Sequence, residues 1–291
     1  MTRRFALLVS PVSAGGKPLK VLPEVTAELD RLEAPYRTIE TRGLDHAADE
    51  AAAAAKAGET VATLGGDGLV RPVAGALRDS PAALAILPGG RGNDFARVLG
   101  LPLEPAGATR VAVQGVERLV DVGEVDGVPF IGIASLGFDS DANRIANEAK
   151  LVRGNLVYLY AAMRALVGWK HASFQVTIDG ERHVVTGWSV GVGNSKAYGG
   201  GMYAMPQAEL DDGLLDIVTC AKSSRLAFLR VVARTFKGTH LELPQISTYR
   251  GAEVTVDADR PFDIYADGDP VGRTPATLRV RQRCLKVIVP G

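Results

Sequence analysis

Cysteine is scarce in this 291-residue chain, which has only Cys220 and Cys284. The two cysteines lie far apart, each in a strand-like run, and neither belongs to a Cys-x-x-Cys pair. This pattern excludes a disulfide framework. The four histidines are scattered as well, without metal-ligand spacing. Buried, reduced thiols are therefore the expected state of both cysteines, which is typical of a cytoplasmic protein.

An excess of charge of one sign is also missing, because 33 Lys and Arg residues balance 33 Asp and Glu residues. A general nucleic-acid binder usually carries a basic excess, so we expect no nucleic-acid partner. No stretch approaches the ~20 apolar residues that a membrane-spanning helix needs. The first apolar run, Phe5–Val9, is too short for the hydrophobic part of a signal peptide. Any membrane contact is therefore expected to be peripheral.

The first half of the chain alternates strand and helix patterns. We predict strands at Phe5–Ser10, Tyr36–Glu40, Thr60–Leu64 and Ala83–Leu87, and helices at Leu19–Leu32 and Asp45–Ala57. Strands and helices that alternate at this rhythm predict a parallel sheet with crossover helices. Ligands of such sheets bind beyond the carboxyl ends of the strands.

Three glycine-rich segments follow these strands, namely SPVSAGGK, GGDGL and LPGGRGNDFAR. A tight turn alone explains one such segment, because glycine tolerates positive φ and Asp bonds its own backbone. Glycine also lets backbone N–H groups approach an anion, and Asp67 supplies charge for a metal or a proton. Three such loops on one edge of one sheet favour a phosphate-binding site over ordinary turns.

The second half is rich in strand patterns with hairpin signals. Asp126-Gly127 and Asp179-Gly180 predict two-residue hairpin turns. Helices are predicted at Asp141–Ala149, Asn155–Val167 and Arg225–Phe236. These patterns indicate an antiparallel, β-rich second domain, with domains at residues 1–124 and 125–283. The cleft between the two domains is the expected binding site.

The motifs resemble those of the diacylglycerol kinase catalytic-domain family, in its bacterial soluble lipid kinase branch. The family's Asn-Pro-x-Ser-Gly loop corresponds to SPVSAGG, its Gly-Gly-Asp-Gly-Thr to GGDGL, and its Gly-Thr-Gly-Asn-Asp to GRGND. The segments GFDSDANRIANEAK, YGGGMYAMPQAELDDGLLDI and DGDP follow in the family's order and spacing. The resemblance covers essentially the whole chain. Sphingosine kinases and, more distantly, NAD kinases are related to this family.

The resemblance implies an ATP-dependent kinase that transfers the γ-phosphoryl group to a lipid hydroxyl such as that of diacylglycerol. It also implies an N-terminal Rossmann-like α/β nucleotide domain and a C-terminal antiparallel β-sandwich, with the active site in the cleft between them. In that architecture, residues 284–290 return to the first domain. The expected partners are a nucleotide, a lipid and, peripherally, a membrane. Exposed edge strands would allow a homodimer.

The resemblance also assigns site residues. Those expected to line the nucleotide are Thr41, Gly65, Gly66, Asp67, Gly68, Leu69, Val70, Arg71, Gly90, Arg91, Gly92 and Asn93. Asp67 would hold the catalytic Mg²⁺ or orient the acceptor hydroxyl, and Asn93 would also cap the helix that follows it. Asp269 lies at the position of the catalytic base. A structural Mg²⁺ would be bound by the Asp212 carboxylate and the backbone carbonyls of Glu209 and Leu214.

Four departures from the family pattern keep alternatives open. Leu69 and Arg91 stand where threonines are usual, Arg71-Pro72 replaces Asn-Glu, and Asp269 replaces Glu. We expect Arg71 and Arg91 to bind nucleotide or product phosphates. The alternatives are an NAD-kinase-like kinase of a soluble acceptor and a catalytically silent binder of lipid or nucleotide. Trp169 either touches a bilayer or lies in the core, and the core is the favoured placement.

Overall fold

The computed structural model describes residues 3–148 and 156–291. Its first region is a parallel sheet in the order β2-β1-β3-β4. The strands are β1 (Phe5–Val9), β2 (Tyr36–Glu40), β3 (Thr60–Gly65) and β4 (Ala83–Pro88). The helices are α1 (Lys17–Arg31), α2 (Leu44–Lys56), α3 (Asp67–Leu77), α4 (Asp94–Val98) and α5 (Pro105–Gln114). The predicted parallel sheet with crossover helices is confirmed.

Helices cover both faces of this sheet, which explains why its central strands are apolar throughout. Phe5, Leu7 and Val9 point to the face covered by α1 and α5. Ala6 and Leu8 point to the opposite face, where α2 and α3 pack. Because both faces are buried, every residue of β1, β3 and β4 is buried as well. The carboxyl ends of these strands lie together at one edge.

The second region is antiparallel. Its strands are β5 (Val116–Val125), β6 (Val128–Phe130), β7 (Ile133–Gly137), β8 (Ala172–Ile178), β9 (Glu181–Gly193), β10 (Leu215–Ala221), β11 (Ile246–Gly251), β12 (Glu253–Ala258), β13 (Asp263–Ala266), β14 (Asp269–Arg273) and β15 (Ala276–Val289). Its helices are α6 (Phe138–Glu148), α7 (Leu156–Gly168) and α8 (Arg225–Thr235). The predicted fold class, an α/β domain and an antiparallel β-sandwich domain, is confirmed. Ala149 and Asn155, at the ends of two predicted helices, lie outside the described residues.

Three two-residue turns shape the hairpins of this region. In Asp126-Gly127, Asp179-Gly180 and Asp267-Gly268 both residues have positive φ, as a type I′ turn requires. The first two turns close the hairpins β5–β6 and β8–β9, as predicted. The third closes β13–β14. The DGDP segment is therefore a hairpin turn, and this geometry fixes the directions of its two aspartates.

Strand β15 belongs to both regions. Its first residues pair with β12, and Lys286 and Val287 pair in parallel with β4. Most of β15 runs antiparallel to β5, with a register shift between Arg281 and Leu285. One continuous sheet therefore runs from β14 at one edge to β2 at the other. The predicted domain boundary between residues 124 and 125 falls inside β5, between its last two residues, and it stays a prediction.

The core of the second region is aromatic. Trp169 is only 8% exposed and stacks on Trp188 with ring centroids 6.3 Å apart. Phe138 and Phe228 pack edge-on against each other in the same cluster. The placement of Trp169 in the core is confirmed, so bilayer contact through this side chain is wrong. Cys220 and Cys284 are buried and free, as expected.

Candidate active site

Two of the glycine loops touch backbone to backbone beyond the ends of β3 and β4. The N–H of Gly89 donates to the carbonyl of Gly65 at 2.7 Å. A Cβ added to Gly90 would lie 2.4 Å from Cα of Gly66, which leaves no room for a side chain. Glycine is therefore required here by close approach of the two loops. The first loop joins them through the N–H of Ser10, which donates to the carbonyl of Leu64 at 3.1 Å.

Asp67 begins α3 and reaches across to α4. Its carboxylate accepts the N–H of Asp94 at 3.1 Å and the N–H of Phe95 at 3.1 Å. These are first-turn amides of α4, so the negative charge faces the positive end of that helix. Asp67 thus fixes the loop after β4 against the loop after β3.

Asn93 is the N-cap residue of α4, as predicted, but its side chain makes no capping hydrogen bond, so that part of the prediction is wrong. Its backbone has φ 52°, and its side-chain oxygen accepts the N–H of Gly90 at 2.8 Å. Its amide nitrogen donates to the carbonyl of Gly90 at 3.2 Å. Asp67 has taken the amides that an N-cap side chain would bind, and Asn93 closes the 90–93 turn instead.

Asp94 is a candidate site residue that the sequence analysis did not name. Its Oδ2 accepts the N–H of Gly200 at 2.7 Å, which links the first region to the glycine loop at residues 199–201. Its Oδ1 is buried and has no partner among the described residues. Burial raises the pKa of Asp94, and the nearby charge of Asp67 raises it further. The signal was present in GRGND, where Asp94 follows Asn93 at the start of a helix beside the phosphate loop.

Asp267 comes from the second region and lies close enough to Asp67 and Arg71 to interact with their charges. Its carboxylate accepts the N–H groups of Ile131 and Gly132, each at 2.9 Å. Burial raises the pKa of Asp267 to about 6, and the charge of Asp67 adds to this effect while Arg71 opposes it. Sequence reasoning assigned Asp267 no role, because its amide partners lie more than a hundred residues away in the chain.

Asp269 is joined to the first region by an ion pair. Arg71 Nη2 donates to Asp269 Oδ2 at 3.0 Å, and the Asp269 side chain is 39% exposed. The Nε of Arg71 is buried without a partner among the described residues. Arg71 thus bridges α3 and β14 and contacts the predicted base. The predicted phosphate contacts of Arg71 and Arg91 stay predictions, and Arg91 is exposed.

The remaining predicted nucleotide residues lie around the same edge. Thr41 follows β2, and its N–H and hydroxyl both donate to the carbonyl of Val9, at 2.9 and 3.2 Å. The side chains of Leu69 and Val70 are buried in the α2–α3 core. Only the backbone of these two residues is therefore available to a ligand. A Cβ added to Gly68 would meet nothing within 4 Å, whereas one added to Gly92 would lie 3.0 Å from Asp94 Oδ2.

The predicted structural Mg²⁺ loop is already rich in ion pairs. The Asp212 carboxylate pairs with Arg250, and its Oδ1 accepts the N–H of Leu214 at 3.0 Å. The Glu209 side chain pairs with Lys196 at 3.2 Å. Arg250 neutralises Asp212, so a cation would compete with this pair, and the site stays a prediction. Across residues 3–148 and 156–291, no group of three or more His, Cys, Asp or Glu side chains is arranged to hold a metal.

The described residues also contain no helix that is both long and apolar enough to cross a membrane.

Comparison with known proteins defines the class. Residues 4–125 match the family model of the diacylglycerol kinase catalytic domain. Residues 132–289 match the model described as the YegS C-terminal NAD kinase beta sandwich-like domain. The chain belongs to this family of lipid kinases, and it is a kinase of the bacterial soluble branch. The family assignment made from the motifs is thereby confirmed.

Individual relatives agree with this assignment. A "Diacylglycerol kinase" of Mycobacterium tuberculosis is 35% identical over 82% of this chain and 80% of its own length. A Pseudomonas aeruginosa protein named "Probable lipid kinase YegS-like" is 31% identical over 99% of this chain and 95% of its own. The crystal structure of a diacylglycerol kinase from Bacillus anthracis is 22% identical, covers 99% of this chain and 97% of its own, and has a TM-score of 0.78. At this identity the crystal structure supports the fold alone.

Proposed function

We propose that this protein uses Mg²⁺ and ATP to phosphorylate the hydroxyl of a diacylglycerol-like lipid. The observation that carries the proposal is the meeting of two pairs of aspartates from two domains. Asp67 and Asp94 border the glycine loops, and Asp267 and Asp269 face them from the β13–β14 hairpin. Relatives named diacylglycerol kinase support the choice of lipid.

The glycine loops suit a nucleotide. Phosphoryl transfer asks the protein for positioning and charge more than for covalent chemistry. Gly66 has no side chain to cover its backbone, so a phosphate can approach its N–H directly, whereas the N–H of Gly90 already donates to Asn93 Oδ1. The first turn of α3, which begins at Asp67, adds further amides at the same edge.

The carboxylates suit a divalent cation that arrives with the nucleotide. Asp94 Oδ1 is buried and has no partner within the described part of the chain, and the Asp67 carboxylate binds the backbone N–H of the same residue. Mg²⁺ prefers oxygen ligands and commonly takes one or two carboxylates together with substrate phosphates. Asp67 and Asp94 fit such a cation, and its charge would stabilise the phosphates as the bond to the leaving oxygen breaks.

Asp269 suits the role of base for the acceptor hydroxyl. Arg71 binds its Oδ2, which leaves the other carboxylate oxygen to accept the hydroxyl proton. As the acceptor oxygen bonds to the γ-phosphorus, the bond from that phosphorus to the leaving nucleotide oxygen breaks. The hydroxyl proton passes to Asp269. Arg71 acts as a positioning residue, because its planar guanidinium fixes the direction of the shorter Asp side chain.

A kinase of a soluble acceptor remains the second candidate, because residues 132–289 match a domain described as NAD kinase-like. A silent binder of lipid or nucleotide is the third. The three differ in what receives phosphate from ATP: a lipid, a soluble nucleotide, or nothing.

The test is transfer of radiolabelled γ-phosphate from ATP and Mg²⁺ to diacylglycerol in mixed micelles, with NAD⁺ offered in a parallel reaction. We expect a labelled phosphatidic acid that disappears with Asp67→Ala. Asp45→Ala is the matched control, since Asp45 is an exposed first-turn acid of the neighbouring helix α2. Label on NAD⁺ alone would support the soluble acceptor, and nucleotide binding without any transfer would support the silent binder.

A further inference from the structure

Helix α8 carries apolar residues on two faces, of which one is buried and the other is exposed. Phe228 and Val231 point inward and are 3% and 5% exposed. On the outer face Leu226, Leu229 and Phe236 are 79%, 43% and 55% exposed. The spacing of these three residues places them along one side of the helix and its C-terminal extension. A helix that only covered the core would have polar residues there.

The same segment is strongly basic. Residues 217–241 contain Lys222, Arg225, Arg230, Arg234 and Lys237 and no Asp or Glu. Arg234 pairs with Glu242, and Arg225 donates to the carbonyls of Leu166 and Val167. The structure gives no ion pair to Lys222, Arg230 or Lys237 within its described ranges. Exposed apolar side chains and unneutralised cations therefore share one face.

This face extends in both directions. At the start of α8, Arg225 binds the end of α7, where Val167 is 73% exposed. At the other end, the carbonyl of Thr235 accepts the N–H of Tyr203 at 2.8 Å. Tyr203 follows the glycine loop whose Gly200 binds Asp94, so the face reaches the candidate active site. We call it the α8 surface, made of Val167, Tyr203, Leu226, Leu229, Arg230, Phe236 and Lys237.

We propose that the α8 surface docks on an anionic lipid bilayer. A helix with Phe and Leu on a face flanked by Lys and Arg lies in the interface of a membrane, held by apolar burial and by attraction to acidic headgroups. The absence of any acidic residue across residues 217–241 makes the face complementary to such headgroups. Its continuity with the loop at Gly200 would bring the bilayer to the edge of the cleft. The biological meaning of this docking rests on the proposed lipid acceptor, but the binding itself needs no turnover.

Flotation of the full chain with vesicles tests the proposal directly. We expect binding to phosphatidylcholine vesicles that contain phosphatidylglycerol, weaker binding in high salt, and little binding to phosphatidylcholine alone. Replacing both Arg230 and Lys237 by Gln should weaken binding about 30-fold, at about a factor of five per basic residue. The apolar variant Leu226→Ser/Leu229→Ser/Phe236→Ser should weaken binding at least as much.

Two controls match these variants away from the α8 surface. Val184→Ser replaces an apolar residue that is 61% exposed on β9, and Lys56→Gln removes an exposed cation at the end of α2. Both should bind vesicles like the parent protein. Unchanged binding in both the charge and the apolar variants would overturn the proposal. So would a concentration-dependent dimer that the apolar variant abolishes, with no vesicle binding by the parent protein.

Activity separates this inference from the proposed function. With dioctanoylglycerol supplied as a dispersed, short-chain substrate, the α8 variants should keep the parent rate. With long-chain diacylglycerol in anionic vesicles, they should lose activity in proportion to binding. Vesicle binding through α8 without any lipid phosphorylation would support docking by the α8 surface and contradict the proposed function. Equal loss on both substrates would overturn the docking role.

Discussion

The first region builds its part of the candidate site from tightly packed glycine loops and the side chains beside them, whereas the second region builds its part from two aspartates on a hairpin. In the first, Gly66 and Gly90 touch and Asp67 binds the amides of α4. In the second, Asp267 lies in a type I′ turn and Asp269 follows it, and both reach partners in distant parts of the chain. The first part depends on a tight fit of loops, and the second on the pairing of strands far apart in sequence.

This difference determines whether a mutation should affect mainly stability or mainly activity. In the first region, a methyl group added where two glycine backbones touch changes the packing of the loops, and loss of a carboxylate changes the chemistry. In the second region, the hairpin can keep its shape while a carboxylate changes its reactivity. Four experiments separate these effects.

The largest effect is expected from Asp94→Asn. The change keeps an oxygen for the N–H of Gly200 but removes the charge that would hold the cation, so activity should fall about a thousandfold. Because burial raises the pKa of Asp94, loss of its charge should leave thermal stability unchanged or improved. Transfer assays over a range of Mg²⁺ concentrations, with thermal unfolding of the same samples, measure both. Full activity of Asp94→Asn would contradict the assignment of Asp94 to the site.

A smaller loss is expected in the second region. Asp269→Asn cannot accept the hydroxyl proton, and turnover should fall about a hundredfold with little change in KM for ATP. Asp269→Glu should keep the rate or raise it. Asp263→Asn serves as the control, since Asp263 lies on the other strand of the same hairpin. An unchanged rate in Asp269→Asn would contradict the assignment of the base.

Glycine substitutions should distinguish close contact from open space. Gly90→Ala places a Cβ 2.4 Å from a backbone atom of Gly66, so the free energy of unfolding should fall by about 1–3 kcal/mol. Gly68 lies in α3, and an added methyl group there would meet nothing within 4 Å. Gly68→Ala should therefore leave stability equal or raise it by up to about 1 kcal/mol. Denaturant unfolding compares the two variants, and equal losses would refute the packing argument.

The smallest effect is a dependence of stability on pH. Burial raises the pKa of Asp139 and that of Asp267 from 3.8 to about 6. The folded state therefore binds more protons than the unfolded state between these values, and stability falls as pH rises through that window. Between pH 5 and 7, ionisation of each group should lower the free energy of unfolding by about 1 kcal/mol. Asp139→Asn should reduce the slope of the unfolding free energy against pH. An unchanged slope would contradict the contribution assigned to Asp139.

Much of the first region follows from sequence because its signals are local. Tyr36–Glu40 is a strand as predicted, and the other three predicted strands agree within a residue. Their apolar runs end in glycines, and the parallel sheet then brings the loops together. The sequence did not point to Asp94, because its proposed role depends on a buried oxygen that has no partner among the residues the structure describes, and no sequence spacing indicates this.

Less of the second region's part of the site could be predicted from the sequence, for a physical reason. The hairpin at Asp267-Gly268 is readable as a turn, but the amides that Asp267 binds belong to residues 131 and 132. The contact of Arg71 with Asp269 likewise joins residues far apart in the chain. The outer apolar face of α8 was also missed, since a helical pattern does not tell which of two apolar faces packs inward.

Strand β15 has a consequence for how the protein is made. The outer edge of β4 is covered only when β15 pairs with it, and residues between Pro88 and Ala276 must be synthesised first. At ordinary rates of translation this interval lasts roughly 10–40 s. During that time the first region, although first out of the ribosome, exposes an unpaired apolar strand. Its completion waits for the other region, so the two halves of the kinase are finished together rather than one after the other.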